Sequence, residues 1–183
     1  TIGTRLSKFA PVLALAEAHE QVCCTVGVHP HEAEAEAGMC SVDKLIALSQ
    51  HPKVVGFGET GVDFHYNRSP HDIQEHLFRQ HCEAARRAGL PMVVHSREAD
   101  AETMRILAEE QTKGIFTGLI HCFSSDLELA EFAVGIGFHV SFSGIITFKK
   151  AEALQEVARR LPLDRLLIET DAPYLAPMPF PGK

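Results

Sequence analysis

The segment RLLIETDAPYL (165–175) runs from apolar residues straight into Glu169, Thr170 and Asp171, and Pro173 ends the run. Consecutive apolar residues bounded by a proline predict a buried strand that stops at this point. An acid in such a strand needs a partner, because an unpaired buried charge is strongly unfavourable. The segment therefore predicts a strand whose carboxyl end carries reactive or ligand-binding groups.

Five further β-rich apolar runs precede this segment, and residues with helical period lie between them. The runs are VCCTVGVH (22–29), VVGFGET (54–60), MVVHS (92–96), GLIHCF (118–123) and HVSFSG (139–144), and a helix is expected before the first at about 6–19. Strands that alternate with helices predict parallel pairing through helical crossovers. The nearly continuous apolar character of the runs predicts that both faces of the sheet are covered.

Capping signals indicate where two of the helices begin and where one ends. Ser69 with Asp72, and Ser125 with Glu128, match the capping-box pattern. Gly89 predicts the end of the helix that starts near Ser69.

Polar residues at the ends of many strands distinguish two possible folds. GVHPH, GETGVD, VVHSR, LIHCF and ETDAP each place polar residues at a strand's end. A (β/α)8 barrel collects reactive groups from many strand ends, whereas an open doubly wound sheet concentrates them at one switch point beside a glycine-rich phosphate loop. We find no such loop between a strand and a helix. We therefore predict an α/β fold of the TIM-type (β/α)8 barrel kind, as a single domain over residues 1–183.

Alternation along the strands places four metal-binding side chains on inward faces. If those faces point into the barrel, Glu59, His95, His121 and Asp171 meet at its mouth. Two imidazoles and two carboxylates suit a divalent cation such as Zn²⁺, Mn²⁺ or Mg²⁺. The alternative is that each histidine is only hydrogen-bonded and that Asp171 caps a helix. The joint pattern favours metal binding.

Composition limits the classes of function. The 183 residues carry a formal net charge of −7, which disfavours a protein that coats duplex DNA through many phosphate contacts. Five cysteines, without a CxxC pair, favour a reducing cytoplasm over a disulfide framework. No apolar run reaches the length of about 18 residues that a membrane span needs, so we expect no membrane partner.

Six motifs resemble, in order, the signatures of the TatD family of metal-dependent deoxyribonucleases. They are GVHPHEA, GETGVDFHY, PMVVHSREA, LIHCFSS, FSGIITFKKA and LIETDAPYLAP. The resemblance implies up to two divalent metals in a (β/α)8 barrel and hydrolysis of phosphodiester bonds in DNA, often from a 3′ end. By position, Glu59 would bridge the metals, His95 and His121 would bind one, and Asp171 would bind the other and contact the attacking water.

The sequence departs from that family at both ends. The family's first strand carries a His-x-His pair, and no such pair precedes Val22 here. We therefore expect a barrel represented by about strands 2–7, incomplete at both ends, with a strand ending in His-x-His encoded upstream of Thr1. The metal assigned to Asp171 would lack two ligands, whereas the other metal would keep its three.

Three basic side chains near these strand ends are candidates for substrate binding. Arg97 could clasp a phosphate, or form an ion pair with Glu98 or another neighbour. His29 and His31 could contact a substrate phosphate, or serve in capping and core hydrogen bonds. The expected substrate is DNA, either single-stranded or at a 3′ end.

Two further acids are candidates for supporting roles. Asp63 could orient a ligand histidine, or merely begin a turn. Glu169 lies one layer below Asp171 and is expected to support it. Cys122 is expected to face away from His121 and to lack a base, which argues against a cysteine nucleophile.

Two alternative functions remain open. One is a metal hydrolase of a small ester or amide, such as an aminoacyl ester. Many barrels of that kind bridge two metals with a carboxylated lysine, and no lysine ends a strand in this sequence. The other is a non-catalytic barrel.

Overall fold

A computed structural model describes residues 1–180, and they fall into two compact units with the boundary between Gly118 and Leu119. The first unit alternates strands and helices in this order: α1 (Phe9–Ala18), β1 (Cys24–Val26), α2 (Ala33–Glu36), α3 (Val42–Ser49), β2 (Val54–Asp63), α4 (His71–Ala88), β3 (Met92–Arg97) and α5 (Asp100–Thr112). The second unit contains β4 (Gly118–Ile120), α6 (Leu127–Gly135), β5 (His139–Phe142), α7 (Glu152–Arg160) and β6 (Leu166–Ile168).

The strands of the first unit are parallel, with β2 between β1 and β3. Asp63 lies opposite Arg97 where β2 and β3 end, and Gly61 lies opposite His95. Gly58 has a φ of +134°, and a Cβ built there would lie 2.3 Å from the carbonyl oxygen of Val93. Only glycine allows this close approach, so Gly58 brings the residues around it on β2 against β3.

The glycines of this strand do not form a phosphate loop. GFGETG (56–61) matches the spacing G-x-G-x-x-G, but all six residues lie inside β2. A dinucleotide-binding loop instead connects a strand to a helix.

Helix α4 covers this sheet with its apolar stripe, which includes Leu77, Phe78 and the fully buried His81. It ends as predicted, because Gly89 adopts a left-handed φ of 68° and its N–H bonds to Ala85. The predicted cap at the other end is wrong. Pro70 is the N-cap residue, without a side-chain cap bond.

Ser69 is buried and bonds to a neighbouring loop instead of the helix. Its hydroxyl donates to the carbonyl of His31 and accepts from the N–H of Glu34. These backbone groups would otherwise lack partners, and a buried unpaired group is unfavourable. Ser69 thus connects the loop after β1 to the start of α4.

The strands of the second unit are also parallel, with β5 between β4 and β6. Helix α6 is capped by Asp126, which accepts a 3.2 Å hydrogen bond from the N–H of Leu129. The predicted capping box of Ser125 with Glu128 is therefore displaced by one residue. A carboxylate is a strong cap because it also interacts favourably with the positive end of the helix dipole.

Strand β6 is less buried than its apolar sequence predicts. Leu167 is 39% exposed and Ile168 is 92% exposed. The prediction of two covered faces is wrong here, because these adjacent side chains lie on opposite faces of β6 and both are exposed.

The α/β class and the six predicted strands are confirmed among residues 1–180. The prediction of a single domain stays a prediction. Within these residues, no helix combines the length and the apolar character needed to span a bilayer.

Candidate metal centre

Three side chains on or just after the carboxyl halves of the first three strands form a group that we call the Glu59 cluster: His29, Glu59 and His95. Their donor atoms all lie within 4.8 Å of one another, and the side chains are partly buried. His29 follows β1, Glu59 lies in β2 and His95 lies in β3. Parallel strands thus deliver the three side chains to one edge of the sheet.

His95 lies between two carboxylates. Its Nδ1 is 2.9 Å from Oε1 of Glu59, and its Nε2 is 3.1 Å from Oδ2 of Asp63. Burial alone would lower the pKa of His95, but the hydrogen bonds to Asp63 and Glu59 outweigh burial and raise it to about 9. A proton on His95 therefore partly balances the two negative charges. A divalent cation would supply positive charge to the same carboxylates.

His29 is neutral near pH 7. Burial lowers the pKa of its imidazole to about 4, despite the opposing attraction of Glu59. Its Nδ1 accepts a 3.1 Å hydrogen bond from the N–H of His31, and its Nε2 lies 3.5 Å from Glu59. A neutral imidazole is the form that binds metals.

Asp63 is fully buried at the end of β2 and connects several parts of this site. Its Oδ2 is 2.8 Å from Nε2 of His31 and also contacts His95. Its Oδ1 accepts hydrogen bonds from the N–H groups of His65 and Tyr66. Burial would raise the pKa of Asp63, but these hydrogen bonds, led by that of His95, hold it well below its usual range. Asp63 is therefore ionised and fixes both the imidazoles and the following loop.

Three side chains of the second unit form the Asp171 cluster: His121, Glu169 and Asp171. Their donor atoms also lie within 4.8 Å of one another. Nδ1 of His121 is 2.9 Å from Oε1 and 3.0 Å from Oε2 of Glu169, and its Nε2 is 3.4 Å from Oδ1 of Asp171. The cluster sits at the ends of β4 and β6, as the opening segment predicted for its two acids.

Residues of β5 hold Glu169 in place within the Asp171 cluster. The N–H of Glu169 extends the β5–β6 ladder to Phe142, and the hydroxyl of Ser141 donates a 2.5 Å hydrogen bond to Oε2. The buried Oε1 has no well-aligned hydrogen bond within the described residues. Apart from its 2.9 Å contact with Nδ1 of His121, this oxygen is available as a cation ligand.

Cys122 does not face away from this cluster, contrary to the sequence-based expectation. Its Sγ lies 3.2 Å from the hydroxyl of Ser143 and 3.8 Å from Oδ2 of Asp171. Cys122 has a φ of +44°, so its side chain does not follow the alternation of a regular strand.

Both clusters offer only imidazole nitrogen and carboxylate oxygen, the donor sets used by Zn²⁺ and Mn²⁺ in hydrolases, while oxygen donors also suit Mg²⁺. The structure brings Glu59 together with His95, and His121 together with Asp171. That all four form a single site stays a prediction. His29, predicted to contact substrate, and Glu169, predicted to support Asp171, both offer donor atoms to the clusters.

The remaining predicted site residues also lie beside the Glu59 cluster. His31 contacts Asp63, and Arg97 is exposed at the end of β3. Glu98 forms its ion pair with His65 rather than with Arg97. The guanidinium of Arg97 instead lies 4.8 Å from the ring centroid of Tyr66. Sequence reasoning missed Tyr66, although an aromatic residue three positions after the acid that ends β2 was a signal.

Comparisons with known proteins show which family this sequence matches. The sequence model of the TatD related DNase family matches residues 1–183. The uncharacterized metal-dependent hydrolase YcfH of Escherichia coli K12 is 40% identical over 182 residues, which cover 100% of the chain and 67% of that protein. The 3'-5' ssDNA/RNA exonuclease TatD of Pantoea vagans is 36% identical over 177 residues, covering 96% of the chain and 67% of that relative.

A solved structure of a TatD homologue has a similar fold. YjjV, a TatD homologue of Escherichia coli K12, superposes with a TM-score of 0.88 and 32% identity, over 98% of the chain and 69% of that protein. The chain thus spans about two thirds of the length of these relatives. The fold and the clusters define a metal-dependent hydrolase of the TIM-barrel class. Within that class, the chain belongs to the TatD family.

Proposed function

We propose that this hydrolase cleaves phosphodiester bonds of DNA, preferentially in single strands and from the 3′ end, with one or two divalent cations, Mg²⁺, Mn²⁺ or Zn²⁺. The observation that carries the proposal is the Glu59 cluster, in which three donors and the ionised Asp63 converge near the carboxyl ends of parallel strands. The name of the Pantoea vagans relative supports a nucleic-acid substrate and the 3'-5' direction.

The cation would be held by His29, Glu59 and His95 in the first unit, or by His121, Glu169 and Asp171 in the second. A divalent cation supplies Lewis acidity, which lowers the pKa of bound water and neutralises charge on a phosphoryl oxygen. Asp171 accepts the proton of the attacking water as a general base.

Other side chains of the chain act on the substrate and on the ligands. The exposed guanidinium of Arg97 binds a phosphate oxygen of the substrate, and His29 and His31, whose ring centroids are 4.4 Å apart, contact the same phosphate. Asp63 holds His95 in its orientation through the 3.1 Å contact. A fixed ligand orientation contributes to metal affinity.

The direct test combines metal analysis with a nuclease assay. Metal-loaded protein is incubated with single-stranded oligonucleotides labelled at either end, with and without a chelator, and in parallel with aminoacyl esters. We expect chelator-sensitive release of mononucleotides from the 3′ end. Ester turnover without nucleotide release would instead support the small-ester alternative and overturn the proposal.

Matched variants make this test specific. Glu59→Gln removes one carboxylate from the cluster, whereas Glu20→Gln removes the same charge from an exposed residue after α1. We expect nucleotide release to be lost in the first variant and retained in the second. Equal activity in the two variants would exclude the Glu59 cluster as the reaction centre.

A further inference from the structure

An exposed aromatic side chain stands beside the Glu59 cluster with two arginines around it. Tyr66 lies in the loop between β2 and α4 and is 46% exposed. The guanidinium carbon of Arg97 is 4.8 Å, and that of Arg68 is 5.4 Å, from the centroid of its ring. We call these three residues the Tyr66 platform.

The two arginines of the platform differ from every other arginine between residues 1 and 180. Neither Arg68 nor Arg97 forms an ion pair with a carboxylate in that range, and the ring of Tyr66 is the partner of both. The other arginines contact a carboxylate or a backbone carbonyl, as the following pairs show: Arg5–Glu32, Arg79–Glu109, Arg86–Glu110, Arg87–Asp43, Arg105–Glu75, Arg159–Glu156, Arg160–Glu131 and Arg165 with the carbonyl of Gly137.

Two arginines whose partner is an aromatic ring rather than a carboxylate stand out in a chain of net charge −7. Cation–π contacts hold the arginines near the ring but leave their N–H groups available to an anion. Two such guanidiniums on an exposed surface are suited to bind a phosphodiester backbone.

The platform is joined to the Glu59 cluster by direct contacts. The N–H of Tyr66 donates a 2.9 Å hydrogen bond to Asp63, which also contacts His95. The ring of His31 packs edge-on against Tyr66 with centroids 5.2 Å apart. Asp63 therefore fixes Tyr66 next to the ligands, and a nucleotide on the platform would be adjacent to a phosphate at the cluster.

We propose that the Tyr66 platform binds the nucleotide next to the cleaved bond, with its base stacked on Tyr66 and its phosphate on Arg68 and Arg97. This proposal rests on the proposed nuclease function and adds the way in which the substrate is recognised. A base within a duplex is already stacked on its neighbours, so the platform selects unpaired nucleotides. Stacking on an aromatic ring does not depend on the identity of the base, so the platform discriminates little among sequences.

The experiment compares binding of an oligothymidylate with binding of an abasic oligomer of equal length. Both carry the same 5′ fluorophore and hydrolysis-resistant phosphorothioate linkages, and anisotropy is measured with metal-loaded protein. The abasic oligomer keeps the charges and removes the bases. The variants are Tyr66→Ala, Tyr66→Phe and Arg68→Gln, and the control Arg159→Gln removes an exposed arginine from α7.

We expect Tyr66→Ala to weaken binding of oligothymidylate by about 5- to 100-fold, the effect of losing one stacked base. Binding of the abasic oligomer should be unchanged, and Tyr66→Phe should bind like the wild type because the ring is kept. Arg68→Gln should weaken both ligands and reduce the slope of log affinity against log salt by about 0.7. Arg159→Gln should change neither the affinity for the oligomers nor the salt dependence of binding.

Two results would overturn the platform while leaving the nuclease intact. One is an equal loss for both oligomers in Tyr66→Ala, which would indicate a structural role. The other is no loss in Tyr66→Ala while the wild-type protein still releases nucleotides. A wild-type protein that binds neither oligomer and releases no nucleotides from unmodified single strands would overturn both proposals.

Discussion

Asp63 and Glu59 lie four residues apart on the same strand, but they differ in burial and in the groups that they contact. Asp63 is fully buried and receives two backbone N–H donors as well as two imidazoles, so it organises the site. Glu59 contacts His95 and His29 through the same oxygen, Oε1, and provides the carboxylate of the Glu59 cluster. We therefore expect Asp63 to matter for stability and geometry, and Glu59 for metal binding and hydrolysis.

Substitution of these two acids should separate the two roles. We expect Glu59→Ala to abolish hydrolysis more fully than Asp63→Ala does. Asp63→Ala should lower the free energy of unfolding by about 1–3 kcal/mol for each N–H left without an acceptor. Denaturant unfolding and nucleotide release, measured on both variants, test this. Comparable losses of activity would mean that the two acids do not differ in role.

His81 should make the stability of the protein depend on pH. Burial lowers the pKa of His81 to about 4, although its hydrogen bond to the carbonyl of Leu77 opposes this. The unfolded chain, with a pKa near 6.5, therefore takes up the proton first as the pH falls. Between about pH 7 and pH 5 this should remove roughly 2 kcal/mol of stability.

The matched variant for His81 is His81→Gln, which lacks the titrating group. The measurement is the free energy of unfolding at both pH values in the presence of a chelator. We expect the wild type to lose more stability on acidification than the variant, because only the wild type buries a neutral imidazole at this position. An identical loss in the two proteins would contradict the assigned pKa.

At the scale of elements, the helix caps show where local sequence rules reach their limit. Ser125 and Asp126 are adjacent, and either side chain can accept a hydrogen bond from a helix N–H. The observed N-cap residue is Asp126. We expect Asp126→Ala to lower the free energy of unfolding by about 1 kcal/mol. Asp126→Ser should be nearly as stable as the wild type, because serine is also a good N-cap residue. Equal destabilisation by both substitutions, measured by denaturant unfolding, would rule out the capping role.

Strand β6 shows a second limit at this scale. Its residues are as apolar as those of the other strands, but Ile168 is almost fully exposed. Burial depends on which elements lie against a strand, and the sequence of the strand alone does not contain that information. The predicted starts of β2 to β6 agree with the structure, but every predicted strand end differs from the observed one by one to three residues.

At the scale of the whole molecule, the α/β class and the parallel pairing of the strands followed from the alternation of patterns. The donors Glu59, His95, His121 and Asp171 were found because each ends an apolar run. The direct contact of His29 with Glu59 and the position of Tyr66 were missed. Both depend on how loops fold back over the sheet, and loop conformation has no periodic signature in sequence.

Metal binding should stabilise the folded chain, because each cluster takes donors from more than one strand and these strands are apart in the unfolded state. A ligand at about 100 times its Kd adds about 2.7 kcal/mol to the stability of the form that binds it. For a chain of this size we expect a rise in Tm of roughly 5–10 °C with Mn²⁺ or Zn²⁺, reversed by a chelator. The rise should be smaller in Glu59→Gln, which loses one donor of the Glu59 cluster, and unchanged in the exposed control Glu20→Gln. Thermal unfolding of the three proteins with and without metal measures this, and an equal rise in all three would place the stabilising ion away from Glu59.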